Sequence, residues 1–532
     1  MRKLVKMMVA GLLCMVMVLS MSACGGKKDS VSKDENTLNI RVYKSGYGDD
    51  YVRALAAAFE STYAEEGYKI NIVSSDSTIQ GQVVTNEMIL GENNGIDLYV
   101  TSNVSPTRLV ATSLDNGMDM VAADLTDVYE SKPIKADKTE EDITIKDKLK
   151  NGYTSYQMYD GNEEEYKGNY YGFAFRSSPC GLIVNESLLT SYGLSMPKTT
   201  DELVACFETI QGKVAETGVY PTAWAGFNAY TYWYMVEDVW AAQYDGVEAY
   251  TNFLNMNYSD NADEGWKVYE SKGWEESLNV LATVTNLNYA PEKTISMDHS
   301  TAQHRFLSGE AVFMVNGAWL QNEMSANYLD KVKGMTMIQT PVVSALGEKI
   351  GLASDAVLSQ IVALVDEGKT VDEIAAQVGA TAEQVQIVKD ARNIFYDWGC
   401  TDTIIVNSYS PKVELAKLFL RYLASDDGIQ IIYDYSSSFT PFNTVAESAI
   451  AESDSTFMNS IYSIATKADA QYINRSEGGW RSTLNFNWFN KYSEVEKQVA
   501  AAKGTLTGEQ IMADELAYIK DAWAERMKEY NK

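Results

Sequence analysis

Between Leu38 and Ser102, three strand-length apolar segments are separated by stretches long enough for a helix, and this rhythm most narrows what the chain can fold into. Leu38 to Val42 alternates like a strand, "KSGYGDD" (44 to 50) makes a loop, and Val52, Leu55 and Phe59 fall at helical spacing. "KINIVS" (69 to 74) and "IDLYVTS" (96 to 102) supply a second and a third strand. Strand, helix, strand in this order requires crossover connections and hence a parallel α/β sheet. A similar pattern resumes at "GFAFRSSPCGLIVN" (172 to 185), after a charge-rich interval at 131 to 168 that reads as an insertion or the approach to a hinge. At 532 residues the chain is long enough for two or more lobes.

The N-terminus is not fold. Arg2, Lys3 and Lys6 precede an apolar run from Met7 to Leu19 that ends in small residues, the layout of a secretory signal covering 1 to 23. Thirteen residues fall short of the roughly 20 that span a bilayer, so a permanent transmembrane anchor is not expected. "MSAC" followed by Gly25 and Gly26 resembles the lipobox of bacterial lipoproteins, with Met21 where leucine is usual. That resemblance implies cleavage before Cys24 and acylation of its thiol; the alternative is an ordinary signal with a chance cysteine. Residues 24 to 36 are polar and without apolar period, a tether between lipid and domain.

Charge and cysteine usage exclude several classes. The chain carries a net charge of −29, and the signal removes three positive charges and no acid. So negative a surface repels phosphate backbones and anionic lipid, which argues against nucleic-acid partners and leaves a lipid anchor as the only membrane link. Beyond Cys24, the mature chain holds Cys180, Cys206 and Cys400, an odd number that reads as buried thiols rather than a disulfide framework. His299 and His304 are the only histidines, and five apart they lie on different helical faces, so no metal site is expected. "DNADEGWKVYES" (260 to 271) hints at a calcium loop, but Ala262 and Ser271 stand at liganding places. No phosphate-binding Gly-x-x-x-x-Gly-Lys-Ser/Thr stretch is present, and no cofactor is implied.

Four phrases, in order, resemble the extracellular solute-binding proteins of ABC importers, the group that includes maltose-binding protein. They are "GLIVNESLLTSYGLSMPKTTDELVACFETI" (181 to 210), "AQHRFLSGEAVFMVNGAWLQNEM" (302 to 324), "MTMIQTPVV" (335 to 343) and "YSPKVELAKLFLRYLASDDGIQIIYDYSSSFTPFN" (409 to 443). The first contains a capping box, Thr199 with Glu202; in the last, Ser410 suits an N-cap and Pro411 the first helical position. The resemblance implies an α/β, two-lobed periplasmic-binding-protein-like fold, with discontinuous lobes joined by crossing hinge strands. Lobe 1 is placed at 36 to 172 and 344 to 445, lobe 2 at 173 to 340 and 446 to 532. One segment departs from the family pattern: 352 to 398 reads as a helical insert of three helices, with capping boxes at Thr370/Glu373 and Thr381/Gln384. Its similarity to a DNA-reading helix-turn-helix is set aside, because 370 to 392 holds two positive and four negative charges. A structural insert or a permease contact both remain open.

Aromatic density points to the ligand. "YPTAWAGFNAYTYWYMVEDVWAAQY" (220 to 244) holds nine aromatic residues in 25. Sugars present flat C–H faces and hydroxyl rims, so a binder needs aromatic planes together with polar groups. Trp233 and Trp240, seven apart, read as one buried helix face; Phe227 and Tyr230 precede the helix and are favoured for a cleft. The resemblance implies ligand stacking by Trp319 of the "GAW" segment and Trp480 of "EGGWRSTLNFNWF" (477 to 489), and a polar contact from Arg176 after the first crossing strand. Tyr47, in the loop after the first strand, and Asn103, after the third, are further choices. The expectation is a monomeric, non-enzymatic receptor that is lipid-anchored on the outer face of a Gram-positive cell and hands a sugar or oligosaccharide to an ABC permease. A cell-surface glycoside hydrolase and a receptor for a non-sugar solute are the alternatives.

Overall fold

The computed structural model describes residues 30–150, 152–161, 163–227, 232–259, 261–443, 455–475 and 491–530. Cys24, Tyr230 and Trp480 lie outside the described residues. Among the described residues, no helix is long and apolar enough to cross a membrane.

The three N-terminal segments form β1 (Thr37–Tyr43), β2 (Lys69–Asp76) and β3 (Leu98–Ser102). β1 lies between the other two and is parallel to both. Leu38, Ile40 and Val42 of β1 are fully buried, and the helix Asp50–Thr62 lays Val52, Leu55 and Phe59 onto the same core. Two strands from far along the chain complete this sheet, giving the order β2-β1-β3-β10-β4, with β4 at Phe173–Ala174 and β10 at Asp402–Val406. The interval 131 to 168 covers this core, which receives Ile145, Leu149 and Tyr153 from it.

A second sheet runs β11-β9-β5-β7-β6, with β8 also paired to β5. Its strands are β5 (Pro179–Val184), β6 (Tyr220–Thr222), β7 (Ala311–Gly317), β8 (Thr336–Ile338), β9 (Ile394–Asp397) and β11 (Gln471–Ile473). The apolar stretch 172 to 185 is thus two strands of different sheets. The chain crosses between sheets at 174 to 179, again at 397 to 402, and a third time after the helix Asp426–Ser436, before the helix Thr456–Ala465.

The three insert helices form at Asp355–Asp366, Val371–Val378 and Ala382–Arg392, and both capping boxes close reciprocally. The insert packs in the second core and not, as its place in the chain predicts, with lobe 1. Leu358, Ile361, Val385 and Val388 are fully buried in the cluster that also holds Trp233 and Trp240. β9, directly after the insert, belongs to the second sheet, so the return crossing comes at 397 to 402 and not near 344. The helix expected to begin at Pro411 with Ser410 as its N-cap begins at Val413. The Ser410 hydroxyl instead accepts from the Lys412 N–H and donates to buried Asp97. At Thr199, Glu202 accepts from the Lys198 N–H rather than from the cap residue's own N–H. Cys180, Cys206 and Cys400 are buried free thiols.

Candidate functional site

The parallel strands of the first sheet end in loops that face the second sheet, and a cleft of about 1140 Å³ opens there. Ligands of open α/β sheets sit beyond the carboxyl ends of the strands, where loop backbone and helix starts converge. β1 runs into Tyr43, Lys44, Ser45, Gly46, Tyr47 and Gly48, followed by Asp50 at the start of its helix; β2 supplies Ser77 and β3 supplies Asn103. This loop turns back through a Ser45–Gly48 bridge, with Gly48 at φ 73°. Asn103 is held at φ 57°, a left-handed conformation that asparagine tolerates, and its side chain donates to Gln80.

The opposite wall is aromatic. Tyr232, Tyr234 and Met235 come from the start of the helix Trp233–Asp245, Trp319 follows β7, Tyr396 comes from β9 and Trp398 from the second crossing. The Tyr232 and Trp319 rings meet edge-on, centroids 5.8 Å apart. A Cβ on Gly317 would lie 2.2 Å from the Trp319 ring, so only glycine lets the ring fold back over the end of β7. Tyr234 packs edge-on against Tyr396 and Trp398, and the Arg475 guanidinium lies over its ring at 4.6 Å. Arg475 is fixed there by two 2.7 Å bonds to buried Asp238. His299, Asn322, Glu323, Ser325, Thr401, Asp402 and, on the helix Asp426–Ser436, exposed Tyr435 complete the lining. The walls touch where Asn322 Nδ2 donates to the Tyr47 carbonyl at 3.2 Å.

Below the cleft the crossings are tied by buried polar groups. Arg176 pairs with Asp402 at 2.8 Å and is sandwiched by the rings of Tyr47, Tyr51 and Phe175 at 4.5–4.9 Å. Asp397 accepts from Ser177 Oγ (2.6 Å), from the N–H groups of Ser178 and Gly399 (2.7 Å each) and from the Tyr153 hydroxyl. Burial holds the carboxyls of Asp397 and Asp402 above the usual carboxylate range, although these donors and Arg176 oppose the shift. The crossing strands come so close that a Cβ on Gly399 would lie 2.5 Å from the Ser178 nitrogen. Burial likewise pushes the Tyr47 phenol up, and its hydroxyl donates to Ser178.

Of the residues singled out in the sequence, Trp319, Tyr47 and Asn103 line the cleft. Arg176 does not; it is 2% exposed and committed to Asp402 beneath the floor. Phe227 is 53% exposed and lies outside the lining. The sequence pattern missed Tyr232 and Tyr234. They alternate with fully buried Trp233, so the one signal was that the helix start turns alternate rings to opposite sides. Nothing local marked Trp398, Glu323 or Arg475, which arrive through long-range folding. Among the described residues, no cluster of three or more His, Cys, Asp or Glu could hold a metal.

Two α/β bodies joined by crossing strands, with a wide cleft at the strand ends, define a solute-binding protein. The model of the bacterial extracellular solute-binding protein family matches residues 54–459, and the chain belongs to that family. No curated protein sequence matches. Among solved structures, the fold is similar to a probable secreted solute-binding lipoprotein from Streptomyces coelicolor, with TM-score 0.57 and 14% identity over 91% of this chain and 99% of that one. It is also similar to a protein described for xylan utilization by Caldanaerobius polysaccharolyticus, with TM-score 0.59 and 14% identity over 91% and 100%. A third is the binding protein RafE in complex with raffinose, with TM-score 0.54 and 15% identity over 92% and 99%. These neighbours share the two-lobed architecture.

Proposed function

We propose that this chain is the carbohydrate receptor of an ABC importer, capturing a sugar or oligosaccharide between its lobes and delivering it to the permease. The observation that carries the proposal is the pairing of an aromatic wall, Tyr232, Tyr234, Trp319 and Trp398, with a wall rich in loop backbone and polar side chains across one cleft. Flat apolar faces and hydroxyl rims call for these two surfaces together. The similar folds include a raffinose complex and a protein described for xylan utilization, which supports the same class of ligand. In this proposal lobe 1 is built from the described parts of 37 to 174 and 402 to 436, and lobe 2 from those of 179 to 397 and 455 to 530. The sheets divide along these lines, as do the cores apart from Tyr47, which packs with the second. The crossings are the hinge, and a ligand that touches both walls favours the closed arrangement through its differential affinity for it.

Calorimetry against a panel of mono- to tetrasaccharides tests the proposal, with scattering to follow compaction on binding. Saturable binding of a sugar without conversion supports a receptor. Release of shorter products would establish the hydrolase instead, and binding only of peptides or other solutes would remove the sugar. The motif ending at Cys24 supports a lipid anchor on the outer face of the membrane; Cys24→Ser should move the protein from the membrane fraction to the medium or leave it uncleaved.

A further inference from the structure

We infer that Glu323 sets the charge class of the ligand, selecting neutral or amino sugars and excluding sugar acids; this rests on the carbohydrate-receptor reading of the same cleft. Glu323 ends a short helix after Trp319 and lines the cavity. Its Oε2 accepts from Nε2 of fully buried Gln303 at 2.6 Å, which fixes the carboxyl in place. Its Oε1 makes no hydrogen bond among the described residues and faces the loop of the first lobe, where a Cβ on Gly46 would lie 2.7 Å away. The side chain is therefore a positioned acceptor with one oxygen unpaired against the Gly46 loop, next to the tryptophan on which a sugar ring would stack.

The cations around the cavity are committed elsewhere. Arg475 is held bidentate by Asp238, Arg176 by Asp402 beneath the floor, and Lys44 reaches out to Asp49 at 3.5 Å. His299 also lies in the lining, and Asp50 and Asp402 add two further carboxylates to it. A ligand hydroxyl or ammonium entering here meets an acceptor that needs a donor. A ligand carboxylate meets like charge in a partly desolvated site, an arrangement that interfaces use to reject wrong partners. The net charge of the whole chain adds a long-range field of the same sign.

The experiment is calorimetry of the purified protein with three matched sets: neutral gluco- and xylo-oligosaccharides, the same oligosaccharides carrying a terminal uronic acid, and glucosamine oligomers. The wild type should bind a neutral or amino member and take its acidic counterpart at least roughly tenfold more weakly, a discrimination that Glu323→Gln should cut by roughly tenfold. The unliganded melting temperature reports whether this near-isosteric variant keeps its fold, and Glu323→Asp, which keeps the charge, should retain the discrimination. Tighter binding of the acidic set by the wild type, or an unchanged gap in Glu323→Gln with neutral binding intact, overturns the inference and leaves the receptor standing. If no sugar of any charge binds the wild type, the sugar reading falls and this inference with it.

Discussion

The two walls of the cleft solve different halves of one recognition problem. The first lobe offers the loop Tyr43–Gly48 with Ser77 and Asn103, groups that follow the ends of parallel strands and present loop backbone and short polar side chains alongside Tyr43, Lys44 and Tyr47. The second offers Tyr232, Tyr234, Trp319 and Trp398, rings wedged against one another and against Arg475. A polar contact in water exchanges one partner for another and gains little net free energy, whereas a ring that covers an apolar face removes that area from water. Affinity should therefore reside on the aromatic wall and orientation on the polar one. The floor between them should carry little of either, because Arg176 and Asp402 neutralise each other there.

The floor provides the largest expected effect. Arg176→Ala leaves Asp402 as an unpaired buried carboxylate, and breaking such a pair costs about 3–5 kcal/mol of stability. Denaturant unfolding should show that loss. If stability is retained and only ligand affinity falls, Arg176 is a ligand contact after all. Asp397, on the same floor, sharpens the point through pH. Its carboxyl is raised by burial, so the folded state holds its proton to higher pH than the unfolded state, and its contribution to stability falls as pH rises from about 3.8 through the raised folded value. Asp397→Asn should be less stable at every pH, since an amide cannot accept from all four donors, but its deficit should narrow between pH 4 and 7. A deficit that widens over that range would mean that the donors, and not burial, set the charge state.

Next in size is the aromatic wall. Tyr232→Ala and Trp398→Ala should each weaken sugar binding by on the order of 1.5–3 kcal/mol, roughly 10- to 150-fold in calorimetry. Both rings are partly exposed, so unliganded melting should move little compared with truncation of buried Trp233 or Trp240, where about 3–5 kcal/mol of stability is at stake. Trp319 is only 8% exposed and packs in the second core, so its truncation should cost affinity and stability together. Loss of affinity in the Tyr232 and Trp398 variants only through unfolding would remove the aromatic wall from the site.

The fold was far more legible than the cleft. Alternation at Leu38–Val42 and helical spacing at Val52, Leu55 and Phe59 report a single buried face, a local pattern that folding preserves. The insert helices were legible for the same reason: their caps are local, and both boxes close. Which core they join is a long-range matter, decided by whether Leu358 and Val385 meet the tryptophan helix or the first sheet, and spacing carries no information on that. In the aromatic stretch, ring type could not separate core from cleft. Trp233 is fully buried while its neighbours Tyr232 and Tyr234 face the cavity, because Tyr232 takes a left-handed φ of 54° just before the helix begins. Arg176 was misplaced through its position in the chain: a residue beside a crossing strand can face the ligand or the hinge, and only the arrival of Asp402, 226 residues later, decides.

The smallest expected effect lies on the polar wall and tests the contrast most directly. Ser77→Ala, and Asn103→Gly, which keeps the left-handed backbone, each remove one hydrogen-bonding group and should cost about 0.5–1.5 kcal/mol of binding, roughly two- to tenfold. Beside Tyr43 and Tyr47, this lobe brings a third and far more exposed ring to the edge of the cleft, Tyr435, 57% exposed, on the helix that packs on the first core. Truncating so exposed a side chain should leave stability within about 0.5 kcal/mol, which makes its binding effect clean to read. If orientation alone resides on this side, Tyr435→Ala should weaken binding no more than Ser77→Ala does. A loss as large as that of Trp398→Ala would give the first lobe a stacking face of its own, and the ligand would then be gripped by rings from both sides.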